Sequence, residues 1–372
     1  MQVNSAQDYL TQVKRQIVAK MLINSPQPAH RRYNYVHISQ LANGQSQFEK
    51  GAYPQTLSLA PGSVPGGRRT FSLCCDPYAA AAAAAAAVPL YAFTTFTFTP
   101  AGATGRNGPI LSAAVSAYTA TAPWVTNTSY FNMTTQGYQL WTAPRTGSYT
   151  VRAAGAASTA SVALHGAIVE RTLSLTKGQI LQLVVGQMGA RSAGFESSGG
   201  GGSFVASGLT PATGDCLLAA GGSGGNNFDA NPPAAWTKGQ STTSGGTVAL
   251  TNGGAGGTDG GGGGAIYGAV AGGGGFIGNG VGGSFLPSMA GLSFRNGAVG
   301  GNADSGNCFG GFGGGGGGYG GGGTGSGGGG YSGGGGGGSL GGPAGGGGSF
   351  YPGGTFIGAT NAGQGYIIIT AV

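Results

Sequence analysis

Cys308-Phe309-Gly310-Gly311-Phe312-Gly313-Gly314-Gly315-Gly316-Gly317-Gly318-Tyr319 is one passage of a glycine-dominated stretch that runs from about Ser198 to Gly363. Single aromatics interrupt it at intervals: Phe276, Phe309, Phe312, Tyr319, Tyr331 and Phe350. Glycine loses more backbone freedom on folding than any other residue and has no side chain to bury, so a flexible linker is the default expectation. Two features oppose it. Serine is sparse and hydrophobic residues separate the runs, and the chain closes with Gly365-Tyr366-Ile367-Ile368-Ile369-Thr370-Ala371-Val372, a plain strand sequence. A chain that needs a strand after a long glycine insert is expected to fold the insert.

Polyglycine has one packed alternative. The polyproline-II helix turns once per ~3 residues and makes no internal hydrogen bonds, so every N–H and C=O points outward and needs a partner. Without side chains, such helices can approach closely and bond to one another. The expectation for residues 199–348 is therefore a bundle of polyglycine-II helices. Its aromatics would plug the edge or dock on an adjoining domain.

Sequence around the insert reads as β-structure. Phe93, Phe96 and Phe98 alternate with threonine; Gly137–Pro144 leads through a Pro-Arg-Thr-Gly turn into Gly147–Ala153 with period 2. Ala167–Val169, Thr172–Leu175 and Ile180–Gly186 follow, the last after a Lys177-Gly178 turn. Short strands at ~10-residue spacing argue for an antiparallel sandwich over residues 91–198 and 349–372. Trp141, beside Leu140 and ahead of a proline-centred turn, is the expected core anchor.

Residues 1–90 differ in character. Ser5-Ala6-Gln7-Asp8 resembles a capping box, and Ala6, Leu10, Val13, Ile17 and Met21 follow at helical spacing until Pro26. This predicts a helix over about 5–23 whose stripe needs a partner. Residues 26–72 read as an extended, Pro-punctuated strap, and Ala79–Ala87 as a short helix or spacer. Residues 1–75 hold eight Lys/Arg, Arg31 and Arg32 among them, against Asp8 and Glu49, most of the net charge of +7. An acidic protein partner is expected over nucleic acid, because no aromatic interleaving accompanies the charges.

Charged residues make up only 7% of the 372-residue chain, against ~25% in ordinary domains. That suits a subunit of an assembly or a glycan-coated surface. Asn127-Thr128-Ser129 and Asn132-Met133-Thr134 are N-glycosylation sequons. Cys74 and Cys75 are adjacent and no C-x-x-C occurs; Cys216 and Cys308 are a candidate disulfide, with two separate thiols as the alternative. No signal peptide and no membrane span are expected.

Motifs of chemistry are those that composition produces by chance. Gly-x-Gly-x-x-Gly recurs without a strand before it and a helix after it. Gly221-Gly222-Ser223-Gly224-Gly225 and Gly330-Tyr331-Ser332-Gly333-Gly334 fit Gly-x-Ser-x-Gly without the strand-to-helix elbow. His165 stands alone in the sandwich, and Asp215, Asp229, Asp259 and Asp304 lack calcium-loop spacing. Neither an enzyme nor a cofactor or metal site is expected.

Several passages together resemble the extracellular glycine-rich domain of the anaplastic lymphoma and leukocyte receptor tyrosine kinases. They are Gly102–Pro109; Gln139-Leu140-Trp141 with Pro144, Gly147 and Tyr149; Ala153–Ala156; Leu183–Gly189; Gly199–Phe204; and Leu217–Gly222. The resemblance covers roughly residues 93–372. It implies a TNF-like, jelly-roll-type sandwich carrying polyglycine-II helices. Transmembrane and kinase segments and most of the receptors' cysteine framework have no counterpart, so cytokine binding and signalling do not carry over. The basic arm joined to a glycine-rich body is also similar, more distantly, to glycine-rich structural proteins of large DNA viruses.

Three function classes follow. The first is a structural and assembly protein of a virion or extracellular fibre, anchored by its arm and partnered by itself or by other proteins of the particle. The second is an adhesin that contacts a cell-surface receptor or glycan. The third, ice binding, expects a flat, regular face of small residues, and threonine is not regularly spaced along the sequence. The long basic strap favours the first.

Overall fold

The structure, a computed structural model, describes residues 88–159, 164–191, 197–212, 214–226, 234–266, 270–283, 289–303, 307–319, 324–338 and 342–372. The chain falls into two units, Met1–Phe71 and Ser72–Val372. The expected helix over 5–23, with Leu10, Val13, Ile17 and Met21, lies outside the described residues, as do Arg31, Arg32, the strap and the alanine run.

Ten strands are described: β1 Thr95–Phe98, β2 Phe131–Asn132, β3 Tyr138–Thr142, β4 Gly147–Ala154, β5 Gly166–Leu175, β6 Ile180–Val184, β7 Ser203–Ser207, β8 Cys216–Ala220, β9 Thr355–Asn361 and β10 Tyr366–Ala371. They form two antiparallel five-stranded sheets, ordered β1-β10-β4-β5-β9 and β2-β3-β6-β7-β8. The fold is an all-β sandwich. Its terminal strand β10 enters the first sheet between β1 and β4, pairing Ile367 with Phe98 and with Ala153. The one α-helix among the described residues, α1 (Leu111–Tyr118), buries Ala114 and Tyr118. The Tyr118 hydroxyl donates to the Thr99 carbonyl at 2.7 Å, with Gln139 Oε1 3.0 Å away.

The two sheets differ in what their outer faces meet. In β4, Tyr149, Val151 and Ala153 point to the core while Ser148 and Arg152 are exposed, the alternation of a half-solvated sheet. The second sheet is buried on both faces. Trp141, Leu181, Leu183, Val205, Leu218 and Ala220 join the sandwich core with Val151, Val169, Leu173, Ile367 and Ile369. Their neighbours of opposite parity, Tyr138, Val184, Phe204, Ala206 and Ala219, form a second apolar cluster with Phe276, Phe294, Ala298 and Phe312 from the glycine-rich body. Strands β7 and β8, inside the stretch assigned by composition to the insert, thus belong to the sandwich. Trp141 is fully buried, as expected of the core anchor.

The glycine body itself is folded, and its runs are neither helix nor strand. Gly325, Gly328 and Tyr331 donate their backbone N–H groups to the carbonyls of Gly342, Gly345 and Gly348 at 3.2, 2.9 and 2.8 Å. Between them, Gly327 and Gly330 donate to Ala271 and Gly274, and Gly329 to Gly200. The next run repeats the rule. Gly333 and Gly336 donate to Gly261 and Gly264, Gly334 and Gly337 to Gly328 and Gly325, and Gly335 to Gly246. Every third residue returns to the same neighbouring run, and the three residues of a turn address three different neighbours. Backbone groups with no intra-segment partner are thereby satisfied between segments.

Side chains are excluded by the same closeness. A Cβ on Gly201 would lie 1.7 Å from the Phe312 carbonyl oxygen, and one on Gly333 1.8 Å from that of Gly273. The chain reverses just after Phe312 at Gly313 and Gly314, with φ of 98° and 84°, a left-handed conformation that glycine adopts without penalty.

Candidate functional site

Aromatic residues end the glycine runs and fix where the body sits. Phe276, Phe312, Tyr331 and Phe350 follow Gly272–Gly275, Gly310–Gly311, Gly327–Gly330 and Gly345–Ser349 in sequence, and all four join or border the cluster on the outer face of the second sheet. Phe276 stacks on Phe294 with ring centroids 4.7 Å apart, and Tyr331 on Phe350 at 4.6 Å. The Phe312 ring occupies space that a Cβ on Gly108 or Gly137 would fill. Tyr138 reaches from β3 to donate its hydroxyl hydrogen bond to the Phe294 carbonyl, and burial pushes its pKa upward. Phe309 and Tyr319, which the sequence groups with these aromatics, are not members of this cluster.

The opposite ends of the runs also meet. Ser158 bridges Gly189, Arg191 bridges Ser197, and Ser197 N–H donates to Asn226 at 2.9 Å. Ser198 Oγ donates to the Cys308 carbonyl, Gly318 N–H to the same carbonyl, and Gly325 N–H to Gly342. Gly317 N–H donates to Met289, and Gly327 N–H to Ala271. These bonds join Ser197, Asn226, Met289, Cys308 and Gly342, at the run ends opposite the docking aromatics, into one bonded network.

The serines of the two Gly-x-Ser-x-Gly matches are structural. Ser223 Oγ is buried and accepts the Ser158 N–H at 2.7 Å; Ser332 Oγ is buried and accepts the Gly260 N–H at 3.1 Å. Each fills a gap in the backbone bonding with its own hydroxyl. His165 contributes its carbonyl to the Gly239 N–H. Among the described residues no group of three or more His, Cys, Asp or Glu could hold a metal ion. Asp229 and Asp304 are outside the described residues.

Cys216 and Cys308 do not form the candidate bridge: they are separate thiols, the other reading their sequence allowed. Cys216 sits on β8 at the border of the interface cluster, where burial pushes its pKa upward. Cys308 is fully buried in the glycine body, 92 positions on, and belongs to no part of that cluster.

Of the two sequons, Asn127 is exposed at the end of a 3₁₀ turn over Pro123–Thr126, and Asn132 is half-buried on β2. On the solvated face of the first sheet, strand register brings Thr95, Thr370, Thr150 and Thr172 into one row across four strands. The adjacent row reads Thr97, Ile368, Arg152, Glu170, Thr355, and an Arg152–Glu170 ion pair of 2.8 Å crosses it. Branched and charged side chains thus border the threonine row on that side. Beside it, an open cleft is lined by Thr97, Thr99, Thr104, Gln364, Tyr366 and Ile368 among others, with no charged side chain. Among the described residues no helix is long and apolar enough to cross a membrane.

No protein-family profile matches the chain. Over 106 residues, 27% of this chain, it is 32% identical to a leukocyte tyrosine kinase receptor of Mus musculus. The match spans 12% of that receptor's length.

Proposed function

We propose that this chain is a structural and assembly protein of a virion or extracellular fibre, in which an N-terminal arm anchors a rigid glycine-rich body. The observation that carries the reading is the three-residue repeat of backbone bonding among the glycine runs. Three residues per turn with outward-directed backbone groups is the polyproline-II geometry, and we infer that the body is a polyglycine-II bundle on a TNF-like sandwich. Such a bundle has its hydrogen-bonding capacity consumed internally and presents little reactive chemistry. Its runs are cross-linked to several neighbours each, which makes it stiff. The partial likeness to a receptor supports an extracellular setting. The basic, stripe-bearing arm supplies the attachment, to other copies or to other proteins of the particle.

Deleting residues 1–75 tests this. The truncated body remains folded and monomeric but no longer assembles or co-purifies with its particle. Assembly at the full-length level by the truncated chain contradicts the proposal.

An adhesin is the second reading. It is favoured by the bonded network of Ser197, Asn226, Met289, Cys308 and Gly342 at the run ends opposite the docking aromatics, since a rigid scaffold is what a recognition surface needs. A cell-surface receptor or glycan would be the partner. Chimaeras that exchange the sandwich but keep the glycine body would retain such binding.

A further inference from the structure

We propose that Asn127 is an N-glycan acceptor and that the neighbouring sequon at Asn132 is not. This rests on the geometry of residues 123–134 and is independent of the assembly reading. Asn127 ends the Pro123–Thr126 turn in an extended conformation (φ −94°, ψ 112°). Its N–H donates to the Trp124 carbonyl at 3.1 Å, and its carbonyl accepts from Tyr130 and Phe131 at 2.9 and 3.0 Å. The backbone is therefore fixed while residues 126–129 are all exposed.

The side chain is posed for the chemistry. Asn127 Oδ1 accepts the N–H of Ser129, the hydroxyl residue of the sequon, at 2.9 Å. This Asx turn fixes the carboxamide, and the bond to its oxygen makes the Nδ2 proton more acidic, so that its removal by a base of the transferase generates the nucleophile. No hydrogen bond among the described residues engages Nδ2. In the transfer, Nδ2 attacks the anomeric carbon of a polyisoprenyl-diphosphate oligosaccharide. The C–N bond forms as the C–O bond to diphosphate breaks, the diphosphate leaves with the electron pair, and Nδ2 gives up a proton to a base of the transferase. Trp124, one turn earlier and half-exposed, stacks on Tyr91 with centroids 5.0 Å apart. It offers an anchored aromatic surface beside the acceptor, the kind of apolar face on which a sugar ring packs.

Asn132 has neither property. It is paired with Leu140 in the β2–β3 ladder and half-buried. Its Oδ1 accepts the N–H of Met133 at 2.8 Å, one residue along, not that of the sequon hydroxyl residue Thr134. A glycan there would stand against the sheet.

The test is expression of the full chain behind a cleavable secretion signal in cultured mammalian cells, with a reporter sequon linked after Val372. Peptide-N-glycosidase F digestion in heavy-oxygen water, followed by peptide mass spectrometry, reads each site. The expected result, on chains whose reporter is modified, is a label at Asn127 in most molecules and none at Asn132. Asn127→Gln and Ser129→Ala each abolish one mobility shift, and the latter keeps the backbone N–H; Asn132→Gln changes nothing. A modified reporter with bare Asn127, or Asn132 labelled as fully as Asn127, overturns the proposal.

Discussion

Tyr138 on β3 donates its hydroxyl hydrogen bond to the backbone carbonyl of Phe294, 156 residues away in the glycine body. The bond ties the outer face of the second sheet to the body that covers it. Its ring lies edge-on to Phe294 at 5.1 Å, inside an otherwise apolar cluster. Tyr138→Phe keeps that packing and removes the donor. The expected loss is about 1 kcal/mol, the net worth of one neutral hydrogen bond, read from denaturant midpoints at unchanged slope. Unchanged stability would show that the bond contributes nothing to holding the body.

Glycines within the body should respond to substitution according to the space around them. Gly201→Ala and Gly333→Ala would drive a methyl into backbone oxygens 1.7 and 1.8 Å away, which only displacement of a neighbouring run relieves. Each should cost about 2 kcal/mol or more, and Gly316→Leu several, because overpacking and lost backbone bonds combine. Gly147 and Gly363 have nothing within 4 Å of the added methyl, and alanine there should stay within about 0.5 kcal/mol. Equal thermal midpoints across both groups would refute close packing.

Trp141 fills the centre of the sandwich, with Tyr149 edge-on at 5.6 Å and Phe93 at 5.2 Å. Truncating a buried tryptophan leaves a cavity and costs about 3–5 kcal/mol. Trp141→Ala should therefore unfold the body or lower its midpoint severely, as calorimetry would show.

Alkaline pH should weaken the fold. Burial raises the pKa of Tyr138, and burial together with the nearby Tyr149 raises that of Tyr91. In the unfolded chain both phenols ionise near ~10. Below that pH both states hold the protons and the stability is fully present. Above it the unfolded chain releases protons that the folded one retains, so stability falls as pH rises. Midpoints that stay level from pH 8 to 11.5 would contradict this. Tyr138→Phe should flatten part of the decline.

The sandwich was legible where strands face water on one side, as in β4, where Ser148, Thr150 and Arg152 alternate with Tyr149, Val151 and Ala153. β7 and β8 were not, because both of their faces are buried and Ser203–Ser207 and Cys216–Ala220 carry no alternation against their glycine flanks. Nor was α1, whose first residue follows Ile110 with no side-chain cap. Docking by Phe276, Phe312, Tyr331 and Phe350 was one of the two roles that their isolation among glycines suggested, and nothing in the sequence set them apart from Phe309 and Tyr319. Tyr138 and Phe294 were not, since nothing near either marks a partner so distant in sequence. The threonine row across β1, β10, β4 and β5 was equally hidden, because it exists only in the strand register.

The central claim is that the glycine runs form a cross-bonded solid, and amide hydrogen exchange tests it most directly. In the native chain, Gly327–Gly330 and Gly333–Gly337 each donate to a neighbouring run. They should exchange as slowly as the amides of β4 and β6, since opening one run requires breaking its bonds to several others. Exchange of these glycines at the rate of an unstructured peptide, while β4 and β6 stay protected, would contradict the account.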